Sequence, residues 1–475
     1  MARLGITGRA ATTYLVLAGF QRGISLLILP FIARVMPPAE YGAASMLTAA
    51  ATLLLAVLAG PIDTVVFRMV PQDDDESRGI LRLAGIYSYV LLPVFGAAVA
   101  TVFALKVPAF LGISGELWAI EILALVLQVS MTVFALPMVQ SAQDLPRFVW
   151  LASISTVVYA LSKLVLVVVL KMGVLGWVVS DLVSAAVSAV LAWTLVRVPR
   201  AQVSRRHLNG LLSFALPLVP HKSAYWAITS LSRPALATVS TLAQVGLLAI
   251  GLNVAAVASL VIGEFNRAVQ PRFSRETFPA PTQSTYAPIR WQLVLAVAVP
   301  AAIGAALALV GKWVFPAPYW PSFAVAGILL LGQFAFGVYP IAINYLVLTA
   351  GVPKYSAFAS GAGAVVILGS ILVFGREYGA IGVAYATSAG YFVMTAVAFS
   401  MARLAKLDIA WRAWISCWPE ITIGTMALTF SAAALLFPVG SGSSRTLAGG
   451  SLASLIAVLA LMAKRQRAVP EIAAG

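Results

Sequence analysis

Along the chain, apolar runs of membrane-crossing length alternate with short polar punctuation. Runs bounded by charge, Pro or Gly fall at roughly 10–33, 42–67, 83–105, 117–140, 148–170, 173–196, 211–232, 246–266, 291–314, 322–349, 355–375, 380–402, 419–438 and 447–463. About 20 apolar residues cross a bilayer as a helix, so the pattern predicts an all-α polytopic membrane protein with about 14 transmembrane helices. The basic N-terminus leads into an apolar stretch that runs past signal-peptide length to about Ala33, which reads as an uncleaved first span. An even number of spans places both termini on one side. Pro30, Gly60-Pro61, Pro93, Pro137, Pro217 with Pro220, Pro300 and Pro340 interrupt spans; such residues serve packing in membrane helices and also permit the bending a rocking transporter needs.

The polar punctuation repeats at an offset of roughly 205 residues. Glu40-Tyr41-Gly42 and Phe67-Arg68, at the two ends of span 2, correspond to Gln244-Val245-Gly246 and Pro271-Arg272. Leu145-Pro146-Arg147-Phe148 before span 5 corresponds to Val352-Pro353-Lys354-Tyr355 before span 11, and Gly173-Val174-Leu175-Gly176 before span 6 to Gly379-Ala380-Ile381-Gly382 before span 12. Six spans per half, an even number, imply two parallel six-helix repeats about an axis along the membrane normal. The organisation expected is an N-terminal lobe over 1–200, a C-terminal lobe over 201–407, and an appended pair of helices with a basic tail over 408–475.

Composition removes whole classes of function. At 61% hydrophobic and 10% charged residues, the chain has no sizeable water-soluble domain. Its net charge of +15 is loop charge: with a cytosolic N-terminus, about 21 Lys and Arg fall on the inner side and about 7 on the outer. That bias fixes the orientation, and its dispersal over every inner loop argues against a nucleic-acid surface. A single cysteine, Cys417, excludes a disulfide framework and a Cys/His metal site. The nearest text to a nucleotide-binding loop, Gly311-Lys312-Trp313, lacks the hydroxyl and the first glycine. The acidic run Gln72-Asp73-Asp74-Asp75-Glu76 reads as a solvated inner loop, because no second acidic cluster is present to complete a diphosphate-metal site.

Ionisable residues at membrane depth are the candidates for chemistry, since each costs about 2.5–3.5 kcal/mol at a helix centre. Arg22 in span 1 and Lys222 in span 7 sit roughly 16–18 Å deep, near the midplane, in equivalent helices of the two repeats. Two such cations suit a diphosphate or an acidic sugar; the alternative is that each neutralises a neighbouring carboxylate. His221, beside Lys222, is a candidate proton carrier or a packing residue. Lys163 in span 5 and Asp181 in span 6 both fall in the outer half, as a structural ion pair or as an element of substrate binding or ion coupling. Asp63, Arg68, Glu264 and Arg267, near the inner ends of spans 2 and 8, are candidate gate residues or snorkelling side chains.

Four stretches carry a family resemblance: Phe31-Ile-Ala-Arg34-Val-Met-Pro-Pro-Ala-Glu40-Tyr41-Gly42, Gly60-Pro-Ile-Asp63-Thr-Val-Val-Phe-Arg68, Phe214-Ala-Leu-Pro217-Leu-Val-Pro220 and Tyr378-Gly-Ala-Ile-Gly-Val-Ala384. In this order they resemble the polysaccharide-unit flippases, the Wzx-type O-antigen and exopolysaccharide translocases of the multidrug/oligosaccharidyl-lipid/polysaccharide (MOP) exporter superfamily, over about residues 1–410. The resemblance implies two MATE-like lobes in a V shape in a bacterial inner membrane. It also implies alternating access that flips an undecaprenyl-diphosphate-linked oligosaccharide from the cytosolic to the outer leaflet, with no cofactor, and with polymerase and glycosyltransferase partners. Proton or sodium coupling, or the membrane potential, would drive it. Where the family often has an acidic residue before the arginine of span 7, this chain has Ser232-Arg233, which weakens ion coupling there and leaves Arg233 as a candidate cargo-binding cation. Lipid II flippases and multidrug exporters are the related alternatives. A membrane-embedded polymerase or ligase is the alternative of a different class, against which stand the short outer loops with few acids.

Overall fold

The computed structural model describes residues 23–72, 74–219, 230–277, 283–352 and 354–472, together with 17, 20 and 223. Helix dominates throughout; among the described residues the only sheet is a hairpin of β1 (Ala109–Phe110) and β2 (Ile113–Ser114). Two compact units divide the chain, Met1–Pro234 and Ala235–Gly475. The first holds α1 (Gly23–Val35), α2 (Pro38–Leu58), α3 (Gly60–Met69), α4 (Asp75–Lys106), α5 (Gly115–Ser141), α6 (Leu145–Val169), α7 (Gly173–Leu195) and α8 (Arg205–Ala215). After α9 (Ser232–Val239), the second holds α10 (Leu242–Phe273), α11 (Tyr286–Val314) and α12 (Pro321–Asn344). Next comes the run Lys354–Leu404, then α15 (Trp411–Ser416), α16 (Trp418–Leu436) and α17 (Gly442–Ile472).

Eleven of these helical runs are long and apolar enough to cross a membrane. One of the eleven, the run Lys354–Leu404, is itself two helices, because Gly379 at φ 53°, ψ −132° breaks it into α13 (354–378) and α14 (380–404). Only glycine enters that region of backbone space without strain. The first and seventh predicted spans lie partly outside the described residues, and the remainder fall where the hydropathy placed them, in a multi-pass membrane protein. Large apolar side chains stay uncovered along the spans, Leu105 at 74% and Val365 at 71% exposure, a surface suited to lipid and not to water.

Three local features differ from the sequence pattern. Predicted span 2 is two helices, because Pro61 removes a backbone donor and the chain turns at Ala59. The acidic run is not simply a loop: Asp74 accepts from the Ser77 backbone N–H at 2.7 Å and caps α4, so Asp75 and Glu76 lie in its first turn, where the helix dipole favours acids. Wide π turns close at Leu92 and Leu136, each immediately before a proline (Pro93, Pro137) whose missing N–H leaves a carbonyl to be re-paired.

The duplicated punctuation has a duplicated structural role. In the first unit Gly173, at φ +56°, opens α7 with its Cα facing the Glu40 carboxylate. In the second, Gly379 faces Gln244, whose Oε1 accepts the Ala380 N–H at 2.9 Å. Both places need positive φ and no side chain, which is why a glycine recurs in each half.

Candidate functional site

A cavity of about 350 Å³ lies inside the first unit among α2, α5, α6 and α7. Its polar lining follows helical spacing: Thr48 and Thr52 on α2, Glu121 and Gln128 on α5, Ser155, Thr156 and Tyr159 on α6, Asp181 and Ser184 on α7. Intervals of three, four and seven bring each set onto one face. The hairpin from α6 to α7 is tight, since a Cβ on Gly176 would lie 2.7 Å from the Leu166 carbonyl oxygen. That closeness sets Lys163, at the end of the regular part of α6, against the first turns of α7.

Lys163 is 1% exposed. Its ammonium donates to Asp181 Oδ2 at 2.8 Å and to the Trp177 carbonyl at 3.1 Å, and lies 3.5 Å from the centre of the Trp177 ring. Carboxylate, carbonyl and ring face together replace the water that a buried ammonium gives up. The Trp177 ring is held in turn by Tyr41, edge-on at 5.9 Å, and by its Nε1–H on Thr48 at 3.3 Å. Ser162 and Ser155 tie α6 to α7 through the Ser180 carbonyl and Ser188.

Glu121, 6% exposed, was not singled out from the sequence and completes the site. It lies within electrostatic reach of Asp181 and Lys163, lines the cavity, and its Oε2 has no hydrogen-bond partner. Two carboxylates and one ammonium leave one negative charge if all three are ionised. A lone charge at this depth is costly, so the arrangement has the chemistry to hold one proton or one monovalent cation on the Glu121 side while Lys163 serves Asp181. A signal for Glu121 was present in the sequence: an acid inside an apolar run, seven residues before Gln128 on the same face.

The other sequence candidates are scattered. Arg233 has a buried Nε without a hydrogen-bond partner and lies within electrostatic reach of Tyr41. Asp63 accepts from the Thr64 hydroxyl at 2.7 Å, and Arg68 lies over the Phe214 ring at 4.5 Å. Glu264 pairs with Arg267 at 2.9 Å, one helical turn apart on α10. Arg22, His221 and Lys222 lie outside the described residues.

The second unit does not repeat the charged cluster. Moving Asp181 by the interval between Gly173 and Gly379 lands on Thr387, and three side-chain contacts between its helices join neutral groups: Ser259 with Gln333 at 2.6 Å, Asn344 with Asn266 at 2.8 Å, Gln292 with the Gly337 carbonyl at 2.7 Å. Among the described residues, the repeat keeps the turn chemistry but not the Glu121–Asp181–Lys163 cluster.

Comparison with solved structures agrees with this architecture. The lipid II flippase MurJ, in an inward closed conformation, superposes with a TM-score of 0.69 at 11% identity, over 95% of this chain and 98% of the flippase. An inward-facing multidrug resistance MATE family transporter of the MOP superfamily gives 0.59 at 15% identity, over 81% and 94%, and a eukaryotic MATE transporter 0.55 at 14%, over 88% and 99%. At these identities the likeness establishes the fold of MOP-superfamily transporters. No curated protein matches by sequence. A family model described as polysaccharide biosynthesis protein matches residues 8–276, more than half of the chain. By that match the chain belongs to the polysaccharide biosynthesis protein family.

Proposed function

We propose that this chain flips an undecaprenyl-diphosphate-linked oligosaccharide repeat unit from the cytosolic to the outer leaflet of a bacterial cytoplasmic membrane, by alternating access, for cell-surface polysaccharide assembly. The observation that carries the reading is the end-to-end likeness in fold to a lipid II flippase in a chain of the polysaccharide biosynthesis family. The excess of Lys and Arg in the inner loops supports cytosolic termini. Arg22 and Lys222 are the cargo-binding cations of this reading, since a diphosphate is the fixed part of such a lipid whatever the sugar. Coupling to protons or sodium is assigned to the Glu121–Asp181–Lys163 cluster, which is one cation short of neutrality.

The test is deletion of the gene and analysis of lipid-linked oligosaccharides by leaflet. A complete, unpolymerised repeat unit retained on the cytosolic side, released by the intact chain but not by the Arg22→Ala, Lys222→Ala double variant, is the expected result. Repeat units trapped on the outer side would move the function to polymerase or ligase. Altered drug sensitivity with normal glycan would move it to multidrug export.

A further inference from the structure

A second cavity, about 130 Å³, opens in the second unit where the start of α11, the start of α16 and the end of α17 meet. Arg290, Trp291, Cys417, Glu420, Met462 and Arg465 line it. Glu420 is 1% exposed; its Oε1 is ion-paired with the Arg465 Nε at 3.0 Å, while its Oε2 has no hydrogen-bond partner. Arg465 also donates through Nη1 to the Ser416 carbonyl, which leaves Nη2 outside both contacts. Trp291 of the lining is 40% exposed, and Trp411, Ile415 and Trp418, in the segment that leads into and past the lining residue Cys417, are 51%, 74% and 66% exposed. Indoles collect at the membrane–water boundary, so the cavity lies at headgroup depth, and the loop-charge bias places it in the inner leaflet.

The chemistry of the lining is complementary to two opposite charges at once. Guanidinium groups of Arg290 and Arg465 suit a phosphate. The orphaned Glu420 oxygen, buried beside them, requires an N–H or O–H donor, because an unmet acceptor at this burial is costly. The volume equals about four water molecules, the bulk of an ethanolamine group with its phosphate at the mouth. We infer that this cavity is a binding site for the headgroup of phosphatidylethanolamine, its phosphate on Arg290 and Arg465 and its primary ammonium on Glu420 Oε2. A choline headgroup has no N–H to give, and a glycerol headgroup offers only a neutral hydroxyl. The site is independent of the cargo assignment, since it belongs to the helices around the appended pair.

Native mass spectrometry of the delipidated full chain, offered equal amounts of phosphatidylethanolamine, phosphatidylglycerol and phosphatidylcholine with the same acyl chains, tests it. Retention of the ethanolamine lipid about tenfold over the other two is expected, the discrimination of a charge-assisted hydrogen bond. Glu420→Gln should bring the ethanolamine-to-glycerol ratio to about one, while Arg290→Gln lowers phospholipid retention without changing that ratio. Ala287→Trp, which fills the cavity mouth and leaves the Glu420–Arg465 pair in place, should remove the tight adduct even if the Glu420 variant fails to fold. Equal or stronger retention of phosphatidylglycerol by the parent chain, or an unchanged headgroup ratio in Glu420→Gln, overturns the assignment.

Discussion

Replacing Lys163 by Met should be among the most destabilising single changes beside the first unit's cavity. The ammonium is 1% exposed, and its partner Asp181 keeps 18% of its side chain accessible. Removal deletes a charge-assisted hydrogen bond of about 1.5–3 kcal/mol and a desolvated cation–π contact of about 2 kcal/mol. It also leaves Asp181 and Glu121 facing each other without a cation. Breaking a buried pair from one side costs about 3–5 kcal/mol; Asp181 retains access to the cavity, which places the expectation near the lower end. The same reasoning predicts that Lys163→Met combined with Asp181→Leu is better than either change alone, at about 1–2 kcal/mol below the parent, because matched apolar replacement leaves only Glu121 to accommodate. The coupling in the cycle should then be at least about 2 kcal/mol. Equilibrium unfolding in mixed micelles, followed by circular dichroism, reads all four variants. A loss under about 1 kcal/mol for Lys163→Met, or additive single changes, would mean that the pair is effectively solvated, and the charge argument for the site would fall with it.

Gly379→Ala should destabilise by about 1–3 kcal/mol, since φ 53°, ψ −132° is closed to alanine and its Cβ would lie 2.6 Å from Gln244 Oε1; Gly361→Ala, with nothing within 4 Å, should be neutral or slightly stabilising in the same unfolding assay. Asp74 is held below the ordinary aspartate value of 3.8, first by the Ser77 backbone N–H and then by the Ser77 hydroxyl. Its contribution is therefore complete above that value and is lost as pH falls through the lower folded-state pKa. Hydrogen exchange at the first turn of α4 should accelerate across that acid window in the parent and show no such step in Asp74→Asn, which keeps a cap without the titration; identical acid profiles would refute it.

Span placement was legible because it depends on length and hydropathy alone, which the bilayer enforces at every crossing. The repeat was legible for a different reason. Glycines such as Gly173 and Gly379 answer to backbone geometry, and a geometry duplicated with the fold keeps its residue type even where the apolar text has drifted. What could not be read was the break at Ala59, where a glycine-proline pair inside an apolar run fits a kink and a helix end equally well. Nor was the capping role of Asp74 readable, since an acidic run before a span has the same composition whether it is coil or first turn.

The candidate site divides along the same physical line. Lys163 and Asp181 were visible as isolated charges in apolar text, and rise arithmetic placed both in the outer half, but whether they met depended on the tightness of the α6–α7 hairpin, set by Gly176 against Leu166. Glu121 escaped notice because it stands only six residues into α5, near Glu116 and Trp118, where an acid resembles an interfacial residue. Depth along a helix is a poor guide to burial when neighbouring helices rise around it: Glu121 is as enclosed as a midplane residue because α6 and α7 cover it. The three charges belong together for a reason of balance. Lys163 is tied to Asp181 at 2.8 Å, while Glu121 is the member with an unpartnered oxygen, on a residue that lines the cavity. With all three groups ionised, one proton or monovalent cation on Glu121 would change the net charge of the cluster from minus one to zero. Because the second unit has Thr387 where the first has Asp181, that change in charge is confined to one half of the repeat.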